Sequence, residues 1–409
     1  MMTATPLSGI RVLEFSHAVM GPTAGLIMAE LGAEVIKVEP APKGDHTRRL
    51  GGFAAGFFAA LNRNKKSIAI DLKQADGKEI LHRLAQNSDV IIENYAPGTM
   101  DRLGCGYQAL NSVNPKLVYL ALKGYLKGPY ENRIALDEVV QFQSGLAYMT
   151  GPPGRPLRAG ASIIDILGAA FGVNAAQAAL IERQTTGKGK RVGSGLFESA
   201  AFLMSIPMAG IAATGKEPLP MPARQGAWAI YEVFETAGDG ALFIGVTSDQ
   251  QWCRFTDEFG LSDLASDPRL ITNESRLGQR SWVIPEIQKV LVKIAQDEVE
   301  QRCLKAKVSC APVGKPIDLF SDKHLLSNGG LLDVFISRFG DTDGKTAGLP
   351  ALPFEFGTNF DRPMLHHQPP RIGEHTETLL KQAGYDHTTI LDLAIRGVIR
   401  ADEIEMASN

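Results

Sequence analysis

The chain has 409 residues, 44% of them hydrophobic, enough for two domains with cores of their own. Its formal net charge is −3, so no global charge points to a nucleic-acid or acidic-membrane partner, and a ligand with several phosphates would need a local basic patch. The four cysteines, Cys105, Cys253, Cys303 and Cys310, form no Cys-x-x-Cys pair. That spacing argues against a zinc site or a disulfide framework and fits a reducing compartment.

The N-terminus carries no basic stretch followed by an apolar one, so a cytoplasmic protein is expected. Ile10 to Phe15 reads as a strand, Pro22 to Leu31 as a helix and Glu34 to Val38 as a second strand. Ser67 to Ile70, Asp89 to Glu93 and Leu117 to Leu122 are further strand-like runs, with a helix from about Ala75 to Asn87 among them. Strands alternating with helices predict an α/β fold with a parallel sheet, whose ligands bind beyond the carboxyl ends of the strands.

Two longer helices should follow. One runs from about Leu136 to Thr150 and stops at Gly151-Pro152-Pro153-Gly154; the other runs from Ser162 or Asp165 to about Gln184. The stretch Ile163 to Ile181 is apolar enough to suggest a membrane span, but Asp165, Asn174 and Gln177 within it argue for a buried helix instead. Gly187 with Lys188, Lys190 and Arg191 closes that helix with a C-cap glycine and basic groups.

Pro and Gly punctuate Gly215 to Pro222 as a linker. A smaller α+β domain over about 223–330 should then open with a hairpin, Trp228 to Phe234 and Ala241 to Val246, around Gly238-Asp239-Gly240. The large domain comprises 1–215, and the C-terminal segment, 340–409, loop-rich from Gly340 to Pro370, is expected to return to it.

Asp165 is the oddest residue, with apolar neighbours on both sides in Ser162-Ile163-Ile164-Asp165-Ile166-Leu167. Aspartate is rarely buried unless paired. At a helix start, amide groups and the dipole would hold it ionised, and a partly dehydrated carboxylate is a usable nucleophile toward a thioester. The local sequence leaves this open against a plain N-cap and favours the cap. Asp137 and Glu138 read as first-turn acids of a structural kind.

Lys37, Lys65, Lys66, Lys73, Arg102 and Arg133 lie near strand ends, where a phosphate-bearing ligand would collect some of them. No Gly-x-Gly-x-x-Gly follows the first strand, Gly187 to Lys190 lacks the P-loop spacing, and there is no Gly-x-Ser-x-Gly elbow. His366, His367 and His375 lack the spacing of a metal site, so no metal is expected.

Taken in order, several segments resemble the class III CoA-transferases. They are Leu7 to Phe15, Gly21-Pro22, Leu31 to Glu39, Asn62 to Ser67, Glu93 to Gly98, Thr186 to Gly189 and Gly373 to Thr376. The resemblance implies a Rossmann-like large domain, a smaller domain and an interlocked homodimer. It also implies a CoA thioester as substrate, with no permanently bound cofactor. In that family an aspartate attacks the donor acyl-CoA, releasing CoA thiolate through a mixed anhydride, and an aspartyl-CoA thioester forms on the way to product. The family's aspartate falls on Asp165. CoA is then expected against Ala18, Val19, Ile70, Lys73, Asn94, Tyr95, Arg102 and Arg133. Val19 and Pro40 stand where formyl-CoA transferase has glutamine and arginine.

Leu136 stands where an α-methylacyl-CoA racemase has its histidine, and leucine cannot shuttle a proton. The runs Ala135 to Gln141, Leu146 to Pro153 and Pro156 to Gly160 resemble the branch acting on C4 and C5 dicarboxylates. Its acceptors include itaconate, mesaconate, citramalate and malate, often with succinyl-CoA as donor, and intramolecular mesaconyl-CoA transfer belongs to the same branch. Arg48, Arg158 and Arg224 are the candidates for a substrate's second carboxylate. A racemase-like enzyme and a CoA-binding protein without turnover are the alternatives.

Overall fold

The computed structural model describes residues 5–223, 226–337 and 344–401. The chain divides into two compact units: one holds the chain up to Pro222 and again from Lys323, and the other is Ala223–Asp322. Lys323 to Gly330, read from sequence as part of the smaller domain, falls in the larger unit.

In the larger unit, β1 (Arg11–Phe15), β2 (Glu34–Pro40), β3 (Lys66–Ile70), β4 (Val90–Glu93), β5 (Val118–Lys123) and β6 (Arg191–Gly195) form one parallel sheet. The order is β3-β2-β1-β4-β5-β6, and the short strand Ile399–Arg400 adds an antiparallel edge beside β3. The C-terminal segment therefore reaches back to the sheet. Alternate residues serve opposite faces: Leu13 and Phe15 join one apolar core with Ile36 and Ile91, while Val12, Val35 and Val90 join the other.

Strand order reverses between β1 and β4, so their two carboxyl-end loops part there and leave a crevice. The helix α1 (Met20–Glu30) begins at this crevice, and the long helix Ile163–Thr186 lies beside it over β5 and β6. Only one face of that long helix is buried, through Ile164, Gly168, Gly172, Val173 and Ala176. Ile166, Phe171 and Ile181 remain exposed, so the expectation of a wholly buried helix holds for one face alone. Gly168 and Gly172 explain the close packing: a Cβ on Gly168 would lie 2.5 Å from Met20 Cε, and one on Gly172 2.7 Å from Leu122 Cδ2.

The expected helix from Leu136 to Thr150 is two helices, Asp137–Gln143 and Leu146–Thr150. Gly145, with φ of 90°, turns the chain between them in a conformation that a side chain would disfavour. Within the region read as loop-rich, Gly344–Pro350 is a strand, paired antiparallel with Leu331–Ser337. Polar and glycine residues hid it, because the partner strand supplies the apolar side chains.

The smaller unit has its own core. Ile230–Glu235, Ala241–Val246 and Ser309–Pro312 form a three-stranded antiparallel sheet, packed by Trp252, Phe255, Val283 and Ile287 from its helices. The predicted hairpin is the first pair of these strands.

A fully buried charge network lies beneath the β1 and β2 ends. Lys37 Nζ is 3.0 Å from Asp45 Oδ2 and 3.3 Å from Glu14 Oε1, while Lys65 Nζ is 2.7 Å from Glu14 Oε2. Desolvation alone would lower Lys37, but Glu14 and Asp45 hold it above its ordinary range. Lys37 also donates to the Ser16 carbonyl at 2.9 Å, and Lys65 to that of Pro22 at 2.9 Å. The network thereby pins the chain on both sides of the β1–α1 turn. Replacing Lys37→Met would leave the buried Asp45 carboxylate without its lysine, while Glu14 keeps Lys65, and should cost about 3–5 kcal/mol in denaturant unfolding. A loss below about 1 kcal/mol, the scale of exposed pairs, would contradict this role.

Candidate active site

Residues 16–19 join β1 to α1, and Ala18 there has φ of +61°, a conformation that costs a residue with a side chain. The surroundings hold it in place. Asn94, just after β4, accepts from the His17 amide at 3.0 Å and donates to the His17 carbonyl at 2.9 Å. Lys37 takes the Ser16 carbonyl. Among the described residues, the amides of Ala18, Val19 and Met20 have no hydrogen-bond acceptor, although Val19 and Met20 are buried. Such free amides at a helix start can receive an oxygen that gains negative charge.

Asp165 stands in the first turn of the helix Ile163–Thr186, half-buried, one turn before the Gly168 that packs on Met20. The two helices pack together, and the contact of Gly168 with Met20 brings their first two turns side by side. Ser162 is the N-cap residue but makes no side-chain cap bond. The cap comes from elsewhere: Asp137 Oδ2 accepts from the amides of Ile164 at 2.8 Å and Asp165 at 2.9 Å. Gln141, one turn on, donates to Asp137 Oδ1 and accepts from the Ala159 amide at 2.8 Å. Asp137 is therefore a first-turn acid of its own helix that serves the next one.

This reverses the expected electrostatics of Asp165. The amides expected to hold its carboxylate ionised are occupied by Asp137. Desolvation comes first, and the charges of Asp137 and Glu138 add to it, pushing Asp165 up to about 7. A carboxylate placed so is poorly solvated and electron-rich, the opposite of an inert cap.

The residues expected against CoA follow the carboxyl edge of the sheet. Ala18 and Val19 come after β1, Lys73 after β3, Asn94, Tyr95 and Arg102 after β4, and Arg133 after β5. His17 packs edgewise on His46 and at a tilt on Tyr95, beside a cavity of about 390 Å³ lined by Pro40, Ala41, Lys43, His46, Arg49 and Tyr95. Arg102 is exposed and Nη2 donates to Thr99 at 2.9 Å, while the Arg133 guanidinium stacks 3.9 Å from the Tyr130 ring centre. Lys73 is exposed. Ile70 differs: its side chain belongs to the core, because the edge strand and the C-terminal helices cover β3.

Of the three arginines expected at a substrate's second carboxylate, Arg48 is already engaged. Its Nε and Nη2 hold Glu39 at 2.8 and 2.6 Å, and its guanidinium lies 3.5 Å from the Phe58 ring centre. Its two-bond edge is thus taken by Glu39, which argues against that expectation, although Arg48 still lines a cavity of about 280 Å³. Arg158 is partly exposed and faces Glu138 at 3.5 Å. Arg224 lies outside the described residues. His375 Nδ1 accepts from the Ser67 amide at 3.2 Å, and the amides of His366 and His367 bind Asn64, so these histidines close the C-terminal segment on β3. No group of three or more metal-ligating side chains occurs among the described residues.

Sequence reasoning missed His17, Gln141 and the cap from Asp137. Only the four-residue spacing of Asp137 and Gln141 hinted at their pairing.

Comparison with known proteins identifies the family. A succinate–glutarate CoA-transferase of Agrobacterium fabrum is 31% identical over 389 residues, covering 92% of this chain and 95% of that protein. The alpha subunit of a succinyl-CoA–L-malate CoA-transferase of Chloroflexus aurantiacus is 32% identical over 368 residues, 84% of this chain and 85% of that one. The crystal structure of a CaiB/BaiF family protein from Brucella suis superposes with a TM-score of 0.82 at 29% identity, covering 93% of this chain and 100% of that one. The sequence model described as CoA-transferase family III matches residues 7–376. The chain belongs to CoA-transferase family III and is a CoA-transferase.

Proposed function

We propose that the enzyme moves CoA between C4 and C5 dicarboxylic acids, with Asp165 as the covalent nucleophile. The observation that carries the nucleophile is a half-buried Asp165 of raised basicity, on a helix that packs against the helix following a turn whose amides are free. The acid class rests on relatives whose names specify glutarate, malate and citramalate. Succinyl-CoA is the donor we favour, with glutarate, malate, citramalate, itaconate or mesaconate as acceptors. Intramolecular transfer within mesaconyl-CoA uses the same chemistry.

The steps balance without any further reactant. The ionised Asp165 oxygen attacks the thioester carbonyl, the C–S bond breaks, and CoA leaves as thiolate from a mixed anhydride. The thiolate then attacks the Asp165 carbonyl, forming an aspartyl-CoA thioester and releasing the donor acid as carboxylate. The acceptor carboxylate attacks that thioester, giving a second anhydride and thiolate again. Thiolate attack on the acceptor's carbonyl yields the new acyl-CoA and restores Asp165. Each tetrahedral oxygen in turn needs donors, a role that suits the amides of Ala18 to Met20. Asp137 keeps Asp165 in place while its charge keeps the nucleophile basic.

Ala18, Val19, Asn94, Tyr95, Lys73, Arg102 and Arg133 are proposed to bind CoA. Leu136, which N-caps the Asp137 helix, offers no proton donor for racemisation. A homodimer accounts for the helix Ser205–Thr214, which is largely apolar, has no buried residue and carries the exposed Ile206, and for the exposed Phe202 just before it.

A panel of acyl-CoA donors against acids, read by chromatography, should give transfer among C4 and C5 diacids. Transfer restricted to other acids would overturn the substrate class. Asp165→Ala should abolish transfer and leave CoA binding largely intact. The rate should rise as pH climbs through about 7, since only ionised Asp165 attacks. Asp137→Asn removes a neighbouring charge and should move that limb to lower pH; an unmoved limb would mean that Asp137 does not set the basicity of Asp165. Raised above its ordinary 3.8, Asp165 binds more protons folded than unfolded, so its contribution to stability is full below that value and is lost as pH rises through about 7.

A further inference from the structure

We infer that Arg158 is the specificity-determining cation for the far carboxylate of the diacid, and that Glu138 occupies it when no substrate is bound. The inference rests on the proposed diacid transfer and deepens it.

Charge around Asp165 frames the problem. Asp137 and Glu138 both face it electrostatically, and no basic group figures among the causes that set its protonation. A diacyl chain reacting at Asp165 brings another negative group two or three methylenes from the thioester carbon. Without a cation, that group meets three carboxylates, and a monoacid would be preferred.

Arg158 is the cation tied to this cluster. Gln141 binds both Asp137 and the Ala159 amide, so it fastens the Arg158 segment to the helix that caps Asp165. Arg158 Nη1 donates to the Ala159 carbonyl at 3.2 Å and sits 3.5 Å from Glu138 Oε1. The second distance is an ion pair without a close hydrogen bond. Nε and Nη2 of Arg158 have no partner among the described residues. One edge of a planar fork thus remains open, the edge that a carboxylate grips with two short bonds. A substrate carboxylate bound there would outcompete Glu138, whose hold is long and exposed to water. Of the other two arginines considered, Arg48 is engaged by Glu39, and Arg224 lies outside the described residues.

Steady-state kinetics of the full chain test this, with glutarate and succinate against butyrate and valerate as acceptors. Arg158→Gln should raise KM for the diacids about 10- to 100-fold, the scale of a charged hydrogen-bonded contact. The monoacids should change less than about twofold, within the weak worth of an exposed ion pair. Glu138→Gln should lower diacid KM, because it removes the competitor for Arg158. A thermal midpoint unchanged in both variants separates these effects from misfolding. If the wild-type chain turns over diacids and Arg158→Gln leaves their KM unchanged, or raises all acids alike, the assignment falls while the proposed function stands. If the wild-type chain turns over no diacid, the proposed function fails first.

Discussion

The Asp137 carboxylate accepts the amides of Ile164 and Asp165, and this one contact fixes the place of the candidate nucleophile and adds to the burial that raises its basicity. A helix start leaves amides that must find acceptors. Here a neighbouring helix supplies the acceptor, so Asp165 cannot turn back onto its own backbone. The same carboxylate repels a negative charge on Asp165. Placement therefore comes from a side chain itself held by Gln141, while the basicity comes first from burial, to which Asp137 and Glu138 add.

The turn between β1 and α1 depends on a different device. Its amides stay free only because other groups take the carbonyls and amides around them: Lys37 at Ser16, Asn94 at His17, Lys65 at Pro22. Two of these groups are buried lysines neutralised by Glu14 and Asp45. Buried ion pairs are weak sources of net stability, but they fix geometry well when every member is paired. The left-handed Ala18 is the strain this arrangement sustains.

Much of the sheet was legible in the sequence, because each central strand is a short apolar run that both cores require. The hairpin at Ile230–Glu235 and Ala241–Val246 was legible for another reason, its glycine-rich turn. Gly344–Pro350 was not, since its apolar content lies on the partner strand. Asp165 was visible as an anomaly, but its environment was not: the cap comes from a residue 28 positions earlier, and no local pattern encodes that. The engagement of Arg48 was hidden for the same reason: in the short helix His46–Arg49 it looks available until Glu39 is seen to take its Nε–Nη2 edge and Phe58 to cover one face.

The central claim is that Asp165 carries the acyl group and then CoA. Digestion and mass spectrometry after turnover with a diacyl-CoA in hydroxylamine test it most directly, because hydroxylamine traps an activated carboxylate as its hydroxamate. The account predicts a hydroxamate on Asp165, absent without acyl-CoA. An unmodified Asp165 peptide from enzyme shown to be turning over, or a hydroxamate on another carboxylate, would contradict it.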